Sequence, residues 1–375
     1  MKKQLLTAAI LCCFVIAGST AAPKSAKKKP KIPVSRVQTH MDGYLGDRID
    51  ACIRVRVCSE DPDLLVAPMR RQTETSLWQS EFWGKWTLGA IASYRYNKDP
   101  ELLRKIEGGV ESLLVTQQPD GYIGNYAPEA QLTNWDVWGR KYTMLGLLAY
   151  YDLTGDKKAL DGTVRLADHL LTQIPAVRQI ERTGIYRGMS SCSILEPIML
   201  LYNRTLDEKY LDFARYIVDR MESADGPQLI AKALDGVPVS ERFPLDDPSR
   251  GWFVWENGQK AYEMMSCYDG LLELYKVTND PRYLKAVEAT VTSIIADEIN
   301  IAGSGSSFEC FYKGKALQTE PAYHTMETCV TMTWMKLCYD LLRLTRNPLY
   351  ADQIERSAYN ALAASMKEDA SQIAK

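Results

Sequence analysis

The chain has 375 residues, of which 46% are hydrophobic and 25% charged, enough length and apolar content for one large buried core or two smaller ones. Its 45 basic and 47 acidic residues leave a net charge of -2, so no global field recruits nucleic acid or an anionic membrane, and a neutral partner is expected. The eight Trp and 21 Tyr are rings that cores and sugar clefts both use.

In chain order, Lys2 and Lys3, the apolar stretch from Leu5 to Ala17 and the small residues Ser19-Thr20-Ala21 make the three parts of a secretory signal peptide at residues 1–21. Export to the periplasm or beyond follows, with loss of the segment. The residues before Cys12 fit a lipoprotein box poorly. Residues 22–37, with Lys24, Lys27, Lys28, Lys29 and Lys31 among Pro and Ala, read as a disordered basic linker. No later apolar run is long enough to span a bilayer. Cys52, Cys58, Cys192, Cys267, Cys310, Cys329 and Cys338 follow the signal. An odd number leaves at least one thiol without an intramolecular disulfide partner, either a buried apolar cysteine or a metal ligand.

Residues 38–375 repeat one unit: an apolar helix ending in Leu or Tyr, a short turn and a second, amphipathic helix. Copies start at Leu88, Leu147, Ile198, Leu271 and Leu337, and a first one is expected from roughly Gln38 to Val66. Gly155, Asn279 or Asn347 in the turns suits the left-handed conformation that closes a helix, and the Asp or Pro beside it starts the next. The copies lie roughly 50 to 75 residues apart, longer than a regular solenoid repeat. Strand signals are sparse and confined to loops such as Ile301 to Tyr312. The pattern predicts an all-α fold, an (α/α)6 toroid of helical hairpins whose loops on one face build a site. A straight solenoid is the alternative.

Three stretches interrupt the helices with polar and aromatic residues. In the first, Trp78, Trp83 and Trp86 stand close to Glu81 and Lys85, as a saccharide wall or as core around an ion pair. In the second, Pro119-Asp120-Gly121 is a turn, and Tyr122, Trp135 and Asp136 are placed to line a cleft where hairpins converge. In the third, Glu309-Cys310 follows a Gly-Ser turn, and His324, Glu327 and Cys329 come after it. On a continuous helix Glu327 and Cys329 would point about 200° apart, so joint ligation needs the loop that enters a helix beginning near Thr328. Carboxylate with thiolate suits Zn2+. Two ligands fall short of the four a structural zinc takes, with His324 or Cys310 as conceivable supplements.

These residues in this order resemble glycoside hydrolase family 127, the beta-L-arabinofuranosidase group, from about Gly43 to Met366. The landmarks are Trp83-Gly-Lys-Trp86, the turn ending at Tyr122, the run Tyr350 to Asn360 and, most specific, Ala322-Tyr-x-x-x-Glu-Thr-Cys329. The resemblance implies an exported retaining glycosidase acting on plant-derived oligosaccharides such as beta-L-arabinofuranosides, with a C-terminal beta-sandwich after the helical domain. It implies Glu309 as catalytic acid/base, Glu327 and Cys329 as zinc ligands, and Trp83, Trp86, Tyr122, Trp135, Asp136, Tyr142 and His324 as sugar contacts. The nucleophile it implies is a zinc-bound thiolate of a Cys-Cys pair that should lie beyond Lys375, so the domain is expected to be incomplete at its C-terminus and inactive alone. Two departures stand out. The interval from Glu309 to Glu327 is longer than usual, which makes Glu320 the fallback acid, and Lys141-Tyr142 stands where many members carry Gly-His. Other toroid enzymes, such as an unsaturated glucuronyl hydrolase or a lyase, and a non-catalytic glycan- or protein-binding module are the competing readings.

Overall fold

The computed structural model describes residues 39–243, 259–320 and 326–366. The expected signal peptide, the basic linker and His324 lie outside them. Helix α1 (Gly43–Cys52), prolonged by a π-helical turn at Ile53–Val57, and α2 (Pro62–Arg71) make the first hairpin, which thus runs beyond the expected Val66. The second pairs α3 (Ser80–Asn97) with α4 (Pro100–Leu114) and the third α5 (Asp136–Thr154) with α6 (Lys157–Gln173). After the short α7 (Met189–Cys192), α8 (Leu195–Thr205) and α9 (Glu208–Met221) form the fourth. Past α10 (Leu229–Leu234), α11 (Ala261–Thr278) and α12 (Pro281–Asp297) form the fifth, and α13 (Thr328–Thr345) and α14 (Pro348–Ser357) the sixth.

The fold is all-α, an (α/α)6 toroid. Helices α3, α5, α8, α11 and α13 pack one against the next as the inner row, each backed by its hairpin partner. Among the described residues there is no strand longer than an isolated bridge and no helix long and apolar enough to cross a membrane.

One turn explains the repeat. After α3, α5, α8, α11 and α13 come Lys98, Gly155, Leu206, Asn279 and Arg346, all left-handed with φ of 57°, 77°, 57°, 57° and 61°. The next residue, Asp99, Asp156, Asp207, Asp280 or Asn347, is extended and caps the following helix by accepting a backbone N–H two residues on. Asn347 is therefore the cap, with φ of -75°, and Arg346 rather than Asn347 is left-handed. An Asn in this turn serves either position, and the Pro348 that follows it fixes which.

The inner helices also approach closely. A Cβ on Gly84 of α3 would meet the Tyr142 carbonyl oxygen of α5 at 2.1 Å, so only glycine lets these two helices touch. Their contact sets the spacing of the side chains at their N-terminal ends.

Because the turn needs a left-handed residue that Leu206 adopts at a cost, Leu206→Gly is expected to raise stability by roughly 0.5 kcal/mol. Asp207→Ala next to it should lower stability by about 1 kcal/mol. Urea unfolding curves that order the two variants the other way would contradict this reading of the hairpin.

Candidate active site

The first turns of α3, α5 and α11 converge. On α3, Lys85 Nζ donates to Glu81 Oε1 at 2.8 Å across one helical turn. The other Glu81 oxygen accepts the indole N–H of Trp138 on α5. One turn further along α5, the Tyr142 hydroxyl is hydrogen-bonded to the hydroxyl of Tyr262 on α11. The Lys85 ammonium lies 5.1 Å and 4.7 Å from the centroids of those two tyrosine rings, and Trp138 meets both edge-to-face at 5.4 Å and 5.1 Å. Burial works against the Lys85 charge, yet Tyr262, Glu81 and Cys329 around it hold its pKa above the usual lysine value. Burial pushes Tyr262 up to about 12 against the pull of Lys85. The result is a closely packed aromatic floor, Trp138 only 2% and Tyr142 6% exposed, with two hydroxyls bonded to each other and a paired cation.

Lys141, also on α5, supports that floor. It is buried, with Nζ 4.3 Å from the Trp138 centroid and 5.0 Å from that of Tyr142. Deeper along the inner row, Lys336 of α13 bridges Glu196 of α8 and Asp269 of α11 at 2.7 Å each.

A loop closes over the start of α11. Its far end is pinned by buried Glu298, whose carboxylate accepts the N–H groups of Tyr312, Lys313 and Gly314 at 3.0, 2.9 and 3.3 Å. Its tip is a tight turn in which Ser307 and Cys310 exchange backbone hydrogen bonds of 3.0 and 2.9 Å. The two central residues, Phe308 and Glu309, are both left-handed, with φ of 47° and 65°. This is the type I′ geometry that Asn-Gly normally takes. Holding two side-chain-bearing residues there costs on the order of 1–3 kcal/mol each, a strain characteristic of functional positions.

The tip is clamped on both sides. Ala261 N–H donates to the Glu309 carbonyl at 2.8 Å, and the Lys260 ammonium, only 1% exposed, donates to the half-exposed Glu309 carboxylate. Glu309 N–H donates at 3.0 Å to Glu327, whose other oxygen accepts the Ser306 hydroxyl. Glu327 is the residue before α13 and Cys329 lies in its first turn, so the helix starts at Thr328 as expected. Cys329 is within electrostatic reach of Lys85 on the floor and of Glu309, Glu263 and Glu327. Burial outweighs Lys85 and raises its thiol to about 12. Buried Glu263 of α11 is pushed up from the carboxylate range by desolvation, and its Oε2 finds no hydrogen-bond partner among the described residues.

Whether these residues fit a zinc ion is a matter of donor count. Glu327 and Cys329 offer one oxygen and one sulfur, and among the described residues no group of three or more His, Cys, Asp or Glu side chains could hold a metal. A catalytic zinc takes three protein donors and a structural one four. The described residues alone do not fit the ion. The seven cysteines among the described residues are free.

The structure redistributes the expected sugar contacts. Tyr142 lies in the floor and Trp135 at its edge, 5.9 Å from Trp138. Trp83 is fully buried and its indole N–H is taken by the Gly109 carbonyl at 3.1 Å. Trp86 is turned toward the first hairpin, donating to the Val57 carbonyl at 3.1 Å. Both are core residues behind the wall, because the α3 face that carries Glu81 and Lys85 is not the face that carries them. Tyr122 and Asp136 are also walled in. Asp136 pairs with buried Arg140 at 2.6 Å and accepts the Leu132 N–H and the Tyr122 hydroxyl at 2.8 Å each. They build the loop and do not line a cleft. Glu320, the fallback acid, is exposed in a turn.

Sequence reading missed Lys260, Tyr262 and Glu263. The hairpin copies were matched from Leu271 onward, in the C-terminal half of α11. Carrying the repeat back to the first turn, where α3 has Glu81 and α5 has Trp138, would have found them.

Comparison with known proteins places these features. The family model described as the beta-L-arabinofuranosidase GH127 catalytic domain matches residues 37–374. A non-reducing end beta-L-arabinofuranosidase of Bifidobacterium longum is 22% identical over 314 residues, covering 77% of this chain and 46% of its own length. The crystal structure of a GH127 beta-L-arabinofuranosidase from Geobacillus stearothermophilus T6 superposes with a TM-score of 0.64 at 20% identity, over 88% of this chain and 57% of that one. An alpha-1,6-mannanase, GH76A, of Salegentibacter sp. HEL1_6 shares the fold at a TM-score of 0.51 and 13% identity, over 85% of this chain and 86% of that one. The chain spans about half the length of the two arabinofuranosidases.

If Asp136 builds the loop, Asp136→Asn leaves the buried Arg140 charge uncompensated and should lower stability by about 3 kcal/mol. A stability unchanged in denaturant unfolding, with only sugar binding altered, would return Asp136 to the cleft.

Proposed function

The chain belongs to the GH127 beta-L-arabinofuranosidase family, and from that premise we propose that it supplies the helical catalytic domain of an exported glycosidase. Its substrates are plant-derived oligosaccharides, beta-L-arabinofuranosides among them. The observation that carries the reading is the Glu309 turn. A half-exposed carboxylate sits on a strained tip, oriented by a buried lysine and tied through Glu327 to the helix that brings Cys329 toward the floor. Export rests on the N-terminal pattern of Lys2-Lys3, the apolar stretch and Ser19-Thr20-Ala21.

In this reading the C–H face of the sugar rests on the rings of the floor, and its hydroxyls bond to Tyr142, Tyr262 and the unpaired oxygen of Glu263. Glu309 gives a proton to the departing glycosidic oxygen and afterwards takes one from the attacking water. Lys260 keeps the carboxylate in one rotamer for both steps. Retention further requires a nucleophile on the other face of the sugar. Burial holds the pKa of the Cys329 thiol above its ordinary value.

Glu309→Gln in the full-length protein should lower kcat on beta-L-arabinofuranosyl oligosaccharides by about 10²- to 10⁴-fold, and an unchanged rate would remove Glu309 from the chemistry. Unchanged hydrolysis after Cys329→Ala would favour a thiol-independent toroid mechanism of the glucuronyl hydrolase or lyase kind. With two donors for a metal, the 375-residue chain should carry well under one zinc per molecule after dialysis. Stoichiometric zinc in elemental analysis would show that further donors gather around Glu327 and Cys329.

A further inference from the structure

Ring contacts continue from the floor toward solvent. Trp135 meets Trp138 edge-to-face at 5.9 Å and also contacts Trp78 at 6.3 Å and Tyr186 at 6.4 Å, again edge-to-face. Trp78 is 44% exposed and Trp135 is half-buried.

Both rings stand on loops that are locked together. Glu74 Oε1 accepts the N–H groups of Thr75, Ser76 and Leu77 at 2.8, 2.8 and 3.0 Å, which holds the Glu74 carboxyl below its ordinary value. Glu74 also pairs through its backbone with the second loop, donating to Asn125 at 3.0 Å and accepting from Ala127 at 2.9 Å. From that second loop, the Asn134 side-chain amide donates to the Thr75 carbonyl at 2.9 Å, and Trp135 N–H donates to the Tyr126 hydroxyl at 3.1 Å. The Tyr122–Asp136–Arg140 network fixes the far end of the same loop.

The exposed part of the Trp78 indole adds no apolar burial to the fold. Its ordering is already complete, which lowers the entropic cost of a ligand that stacks on it. The rings are continuous with the floor, so the ligand is an extension of whatever the floor holds.

Resting on the glycosidase reading above, we propose that Trp78 and Trp135 form a stacking platform for a second sugar unit, beyond the one seated on the Trp138–Tyr142–Tyr262 floor. The ligand class is an oligosaccharide of two or more neutral sugars. The platform selects for chain length and leaves recognition of the terminal unit to the floor.

Calorimetric titration of the protein with L-arabinose and with a beta-linked L-arabinofuranosyl disaccharide tests this. The disaccharide should bind about tenfold more tightly than the monosaccharide. Trp78→Ala should weaken the disaccharide about fivefold and leave arabinose unchanged, because stacking on one ring is worth about that factor. Trp78→Phe, which keeps a ring, should retain most of the gain. An equal loss for both sugars, or none for either, overturns the platform. Wild-type protein that binds arabinose with no gain from the disaccharide refutes the platform alone. Wild-type protein that binds neither sugar refutes the glycosidase reading along with it.

Discussion

Helices α5 and α11 are surrounded by protein, with fourteen of nineteen and twelve of eighteen residues buried, and a helix so placed can offer polar chemistry to a ligand only from its ends. The placement of the candidate site follows from that constraint. The hairpin turns occupy the C-terminal ends of the inner helices, where a left-handed residue and an Asp or Asn cap are needed to reverse the chain. The N-terminal ends are left free of turns, and long loops of varied sequence meet them. Glu81, Lys85, Trp138, Tyr142, Lys260, Tyr262, Glu263, Glu327 and Cys329 all lie in or beside first turns. Deeper in the row, buried Glu196 and Asp269 are both paired with Lys336, as buried charges must be.

The loop bearing Glu309 shows how a flexible connection becomes a precise one. Glu298 anchors it with three backbone hydrogen bonds, Ala261 and Lys260 hold its tip, and Glu327 receives the backbone N–H of the tip itself. Two consecutive left-handed residues persist there because these partners over-determine the backbone. The same partners tie Glu309 to Glu327, so a displacement of Glu327 would be felt at Glu309.

The fold was legible because its determinants are local. A Leu- or Tyr-rich helix end followed by an Asp or Asn cap is written in neighbouring residues, and five repetitions of it leave few architectures. The one misassigned turn, Asn347, failed because Asn serves both positions of the motif and the Pro behind it had to be weighed as well. The site was legible only in part. Glu309, Glu327 and Cys329 came from a family pattern, and the structure brings them together. Trp83, Trp86, Tyr122 and Asp136 share short stretches with residues that the structure does gather around the Glu309 turn and the aromatic floor, and proximity in sequence says nothing about which helical face a side chain takes. Tyr262 and Glu263 stand near Tyr142 and Glu81 only through packing of three helices, a relation no single stretch of sequence contains.

In the reading proposed above, Glu309 on its clamped turn moves the proton at the scissile oxygen. A general acid matters in proportion to how badly the leaving group needs a proton. The most direct test compares kcat/KM of wild-type and Glu309→Gln full-length protein on two beta-L-arabinofuranosides, one with a 4-nitrophenyl leaving group and one with an alkyl leaving group. A proton donor at Glu309 gives a small loss on the nitrophenyl substrate and a loss at least ~100-fold larger on the alkyl one. Equal losses on both would mean that Glu309 supports the site without donating the proton.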